Sequence, residues 1–191
     1  SFSVPTETET LFFKVKIDKV SGLLATEYTP ENAVIEVTYQ NYEPVADMLN
    51  WAQEIRDYYG GVASGEGEVR IGMPPTEYDN VHTAETAASK PKINIVSPGS
   101  NTAHSFGSLE IEVDVDAPNG VAEIEFYFDD EKEFFTTLAP YTGYINISRF
   151  VSPGSRHLIV AKIVDDLGYS SQSAIEVKID EDAGKEEKEE D

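Results

Sequence analysis

Cysteine is absent from the 191 residues, so no disulfide framework holds this fold. Long apolar runs are missing as well. None approaches the roughly 20 residues needed to span a bilayer, and Ser1 opens no secretory leader, which leaves either a cytosolic chain or a piece of a longer one. Positive charge is scarce: 14 Lys plus Arg stand against 36 Asp plus Glu, for a net charge of -22. Such a field repels nucleic acid and anionic lipid surfaces, and excludes both as expected partners. Histidine is rare too. His82 and His104 stand without Cys or carboxylate at ligand spacing, so no metal and no cofactor is expected.

What is present is β-pattern. In Leu109, Ile111, Val113 and Val115 apolar side chains alternate with Glu110, Glu112 and Asp114, which predicts a strand with one face in the core. Asn119-Gly120 is a turn signal needing positive φ. After it, Ile124, Phe126 and Phe128 share one face of a second strand. Glu133 to Leu138, Tyr144 to Phe150, Arg156 to Val164 and Ser173 to Ile179 follow between Pro, Gly and Ser punctuation. Together with the opening Pro91 to Pro98 they make about seven strands at the spacing of an immunoglobulin-like antiparallel sandwich. The fold class expected is mainly β, with this sandwich over residues 91–180.

One stretch of the expected sandwich carries a family likeness. Gly154-Ser-Arg-His157, then Ile159, Ala161 and Ile163 at period two, then Asp165-Asp-Leu-Gly168 resembles the penultimate-strand pattern of bacterial immunoglobulin-like modules found on surface and cell-wall proteins. Gly154 and Gly168 suit turns, Asp165 suits accepting backbone N–H bonds that close a loop, and His157 suits a packed, hydrogen-bonded position more than a ligand's. The acidic groups near predicted strand ends, Asp114, Asp116, Asp129, Asp130, Asp165 and Asp166, lack EF-hand spacing, so calcium is not expected.

Upstream, residues 1–61 read as a small α+β segment of one hairpin and one helix. Leu11 to Asp18 is a strand, Lys19-Val-Ser-Gly22 a turn, and Leu23 to Thr26 the returning run, with a further strand over Ala33 to Tyr39. Residues 45–59 predict a helix, with Pro44 at its first turn, Gly60-Gly61 past its end, and Val45, Met48, Leu49, Ala52, Ile55 and Tyr59 at helical spacing. Its Trp51, Tyr58 and Tyr59 could stack on sugar faces as an aromatic platform; they equally suit packing on the small sheet, which is the preferred reading. Residues 62–90 turn to Gly, Ser, Thr, Ala and Glu around Pro74-Pro75 and predict a linker. Residues 181–191 form an acidic tail expected to be disordered.

Val15-Lys-Ile-Asp-Lys-Val-Ser-Gly-Leu-Leu-Ala-Thr-Glu-Tyr-Thr-Pro-Glu31 closely resembles the segment at the far end of the transpeptidase domain of class A, bifunctional penicillin-binding proteins. Met73-Pro-Pro-Thr-Glu-Tyr-Asp-Asn-Val-His82 resembles the connector after it in some of them. The resemblance implies a parent that polymerises and cross-links peptidoglycan outside the cytoplasmic membrane. The Ser-x-Asn and Lys-Thr-Gly elements of that chemistry do not occur in this chain. Its one Ser-x-x-Lys, Ser89-Lys-Pro-Lys92, has proline inside it and a strand after it, so it lacks the helix that aligns nucleophile and base. The expectation is therefore a non-catalytic, cell-envelope accessory region. Its partners would be peptidoglycan or cell-wall assembly proteins, and it would meet the membrane only through the parent's missing N-terminal part. The alternative is a free-standing surface adhesion or carbohydrate-binding module. An independent hydrolase is a third reading, which an exposed, mutually hydrogen-bonded acid/base pair would revive.

Overall fold

The computed structural model describes residues 12–40, 68–148 and 151–180, in two compact units, Ser1–Thr83 and Ala84–Asp191. In the first unit, β1 (Phe12–Asp18) pairs antiparallel with β2 (Val34–Gln40), and β2 pairs parallel with β3 (Glu68–Ile71). Alternation along β1 and β2 sends Ile17, Val37 and Tyr39 into a small core, with Val15, Leu24 and Ile35 against it. The expected hairpin is short: Leu24 bridges Ile17 antiparallel, while β1 finds its full-length partner in β2. The expected helix over residues 45–59 lies outside the described residues.

Residues 68–83 do not run as a linker. Beyond β3, Leu24 bridges Tyr78 in parallel, with the Leu24 N–H donating to the Glu77 carbonyl at 3.0 Å and the Asp79 N–H to the Leu24 carbonyl at 2.7 Å. A Gly/Pro/Thr composition reads as linker because such pairing is carried by backbone groups that any residue supplies. Ala84 to Ala88, expected to be loose, forms a short helix, α1.

The second unit is an immunoglobulin-like β-sandwich. One sheet is β4 (Lys92–Ser97), β6 (Gly107–Asp116) and β9 (Thr142–Ile147), antiparallel in the order β4-β6-β9. The other runs β5-β11-β10-β7-β8, from β5 (Ala103–His104), β7 (Glu123–Phe128), β8 (Glu131–Thr136), β10 (Arg156–Val164) and β11 (Ser170–Ile179). All its pairings are antiparallel except β5 with β11. The inward residues of both sheets, Ile93, Ile111, Ile124, Phe126, Ile145, Ile147, Ile159, Ala161, Ile163, Val177 and Ile179, form one core. Each fully buried Ile or Phe contributes about 1.5–3 kcal/mol relative to an exposed one.

Two local features position the strands. The β7–β8 hairpin turns through Asp129 (φ 48°) and Asp130 (φ 70°), the left-handed pair of a two-residue primed turn, which aspartate tolerates better than most residues. Gly143, at the start of β9, lies under the Phe126 ring: a Cβ there would meet three ring atoms at 2.6–2.7 Å. Sequence reading leaves Gly143 in a turn, whereas here the missing side chain lets backbone and ring approach. Among the described residues no helix is long and apolar enough to cross a membrane.

Candidate functional site

In the first unit Asp18, Asp79 and His82 are buried together, their ligand-type atoms within 4.8 Å of one another. Asp18 ends β1, and its Oδ1 and Oδ2 accept from the Val20 N–H at 3.2 Å and the Ser21 N–H at 2.6 Å, closing the turn. Asp79 Oδ2 accepts from Thr29 Oγ1 at 2.8 Å and from His82 Nδ1 at 2.5 Å, and its Oδ1 accepts from the Val81 N–H at 2.9 Å. Asp18 Oδ1 lies 3.6 Å from the same ring nitrogen. His82 is thus not lone: Asp79 stands three residues before it, a spacing visible in Tyr-Asp-Asn-Val-His, whereas Asp18 reaches it only through the fold.

Two ligands on one tetrahedral zinc stand about 3.3 Å apart, given bonds of about 2.0–2.1 Å. The 2.5 Å His82–Asp79 contact is a hydrogen bond with a proton in it, and the remaining carboxylate oxygens are engaged by N–H and O–H donors. As arranged, the cluster is a polar lock that ties the turn after β1, the Thr26–Thr29 bend and the 77–82 segment into one body.

Burial pushes the Asp79 carboxyl up, but the Val81 N–H, Thr29 and His82 together hold it below the usual aspartate range. A depressed folded pKa contributes stability that is fully present above the unfolded value of about 3.9 and is lost as pH falls through the folded value. Acid titration followed at the Asp79 carboxyl carbon should therefore show a midpoint below about 3.9, with Thr29 and Val81 moving in step. A midpoint at or above the free value would refute the lock.

In the sandwich, Asp165 is buried and its Oδ1 accepts from the Leu167 N–H at 3.1 Å and the Tyr169 N–H at 2.8 Å. Asn119 Nδ2 donates to its other oxygen at 3.0 Å, and Gly168 (φ 84°) completes the turn by donating to the Asp165 carbonyl at 2.9 Å. Gly154 (φ 82°) turns the chain into β10, its N–H on the Ile179 carbonyl. His157 stacks on Phe128, ring centroids 4.8 Å apart. Trp51, Tyr58 and Tyr59 lie outside the described residues. The carboxylates considered for calcium are dispersed: Asp116 pairs with Lys92 and Asp129 with His157, while Asp165 is held as above.

His157 also joins a Ser–His–Asp array, with Nδ1 at 2.5 Å from Asp129 Oδ2 and Nε2 at 2.6 Å from Ser155 Oγ. The contacts run in the order of a hydrolytic triad, but the Ser155 hydroxyl donates to the Ser152 carbonyl at 2.5 Å. Its proton is turned away from the base that would have to accept it. Asp129 Oδ1 accepts from the Leu158 N–H at 2.8 Å, so the array fastens the strained β7–β8 turn to β10. Ser89 and Lys92 are likewise apart in role: Ser89 Oγ donates to the Glu85 carbonyl at the end of α1, and Lys92 pairs with Asp116 on the edge of the sheet.

The outer face of the five-stranded sheet carries a network that sequence reading did not single out. Glu125, buried on that face, accepts from Lys132 at 2.7 Å and from the Tyr127 hydroxyl at 2.8 Å, with Lys162 at 3.7 Å. Burial pushes the Glu125 carboxyl up, and Lys132, Tyr127 and Lys162 outweigh it, leaving it below the usual range. Bonding to Glu125 raises the Tyr127 hydroxyl. The signal available was polar Glu125 and Lys162 at outward positions of otherwise apolar strands.

Residues 91–160 match the family model described as a bacterial Ig domain. No curated protein matches the chain. Among solved structures, the fibronectin(III)-like modules of Clostridium thermocellum CbhA are similar at 25% identity, over 47% of this chain and 97% of that one, with a TM-score of 0.42. An engineered protein is similar at 15% identity, over 47% of this chain and 20% of that one, with a TM-score of 0.36.

Proposed function

We propose that the chain is a non-catalytic accessory region of a class A penicillin-binding protein, held in the cell envelope through its parent. The immunoglobulin-like sandwich serves as spacer or docking surface for peptidoglycan or a cell-wall partner. One observation carries this reading. The two segments that resemble the end of the transpeptidase domain and its connector, residues 15–31 and 73–82, are bonded to each other through Leu24, Glu77, Thr29 and Asp79. Segments that belong to one ancestral domain end are expected to pack in this way, and two chance likenesses are not. The bacterial Ig domain match supports the accessory role of the second unit.

The test is an antibody raised against this chain, used to capture protein from membranes of the source cells labelled with a fluorescent penicillin. The expected result is a long, fluorescent polypeptide. A short, unlabelled one would remove the penicillin-binding parent and leave the free-standing adhesion or carbohydrate-binding module in its place.

A further inference from the structure

On the outer face of the five-stranded sheet an open cavity of about 270 Å³ is lined by Tyr127, Asp130, Leu158, Val160, Lys162 and Gln172. Register places these side chains in two neighbouring rows: Tyr127 beside Val160 in one, Glu125, Lys162 and Gln172 in the next. The Tyr127 hydroxyl reaches Glu125, two residues back on the same strand and the same face. The phenol therefore lies along the strand at the wall of the cavity, and the bond to a carboxylate held by Lys132 fixes it there. Among the described residues the side chains of Asp130 and Gln172 make no hydrogen bond or ion pair.

We propose that this cleft binds one pyranose ring of a neutral glycan. A sugar offers a face of C–H bonds, whose positive edge suits the negative face of an aromatic ring, and a rim of hydroxyls that need both donors and acceptors. Tyr127, Leu158 and Val160 supply the apolar floor; Asp130 accepts, Lys162 donates and Gln172 does both. The charges select against ions. Lys132 and Lys162 stand against Glu125 and Asp130, so neither sign dominates the cleft. The volume sits just under the roughly 300–1,000 Å³ of drug-sized ligand sites, which is room for a single ring. Naming that ring an N-acetylhexosamine of the cell wall rests on the function proposed above.

The test titrates the full 191-residue chain, ¹⁵N-labelled, with chitotetraose and separately with cellotetraose, following amide shifts. Expected are shifts centred on Tyr127, Val160 and Gln172, stronger for chitotetraose. Tyr127→Ala should weaken binding about tenfold, near the top of what one aromatic stack contributes. Tyr127→Phe, which keeps the ring and frees it from Glu125, should weaken it less, and both variants should keep the dispersed spectrum of a folded sandwich. Equal binding of the two sugars would support the cleft while counting against the cell-wall assignment. No shifts, shifts elsewhere on the surface, or binding unchanged in Tyr127→Ala would overturn the cleft itself. Failure of the penicillin-binding parent would be read separately, in the capture experiment.

Discussion

Phe126→Ala will destabilise the sandwich by about 3–5 kcal/mol, the range for deleting a fully buried aromatic side chain. The value should fall toward the top of that range because the site collapses poorly. Phe126 is wholly buried between the sheets and its ring rests on Gly143, which has no side chain to swing into the space. Neighbouring Ile124 and Ile159 are fixed by the β7–β10 ladder. Amide hydrogen exchange of β7 and β10 gives the number without interference from the first unit. A loss below about 1 kcal/mol would mean that the ring is not the keystone of the core.

The second large effect is expected in the first unit. Asp79→Ala removes an acceptor shared by Thr29, Val81 and His82 and leaves Asp18 as the carboxylate that still faces the buried ring. Removing one partner of a buried charged network costs about 3–5 kcal/mol, and the loss should register as faster exchange at Ser21, Leu24 and Asp79, whose amides all depend on this junction. Asp79→Asn keeps the shape and the oxygen that serves Val81, so its cost should be smaller, about 1–3 kcal/mol. Equal losses in the two variants would point to packing and away from the hydrogen bonds.

The sandwich was legible because its information is local and periodic. Leu109 to Val115 and Ile159 to Ile163 alternate, and Asn119-Gly120 announces its turn, with Gly120 at φ 88°. The pieces that composition concealed are those fixed by contacts distant in sequence. Asp18 meets His82 only once Leu24 has paired with residues 77–79 through backbone groups. Asp129-Asp130 makes a tight hairpin turn without glycine because His157 and the Leu158 N–H hold Asp129 from β10. Gly143 looks like turn punctuation until Phe126 is seen above it. The cleft at Tyr127 was hidden for a related reason: Tyr127 and Glu125 read as the unremarkable outward positions of a strand, and only the register of β10 and β11 brings Lys162 and Gln172 beside them.

The parallel pairing of β5 with β11 has a mechanical meaning. The Lys178 backbone N–H donates to the Thr102 carbonyl at 2.9 Å and the Asp180 backbone N–H to the His104 carbonyl at 2.8 Å, joining a strand near the entry of the sandwich to the strand at its exit. Tension that draws residue 91 away from residue 180 pulls β5 toward its N-terminal end and β11 toward its C-terminal end, so the two slide in opposite senses along a common axis. The bonds between them are loaded together, in shear, and must fail together, whereas an antiparallel hairpin peeled from one end yields a bond at a time. A two-residue strand that contributes little to the equilibrium core thus acts as a catch against extension.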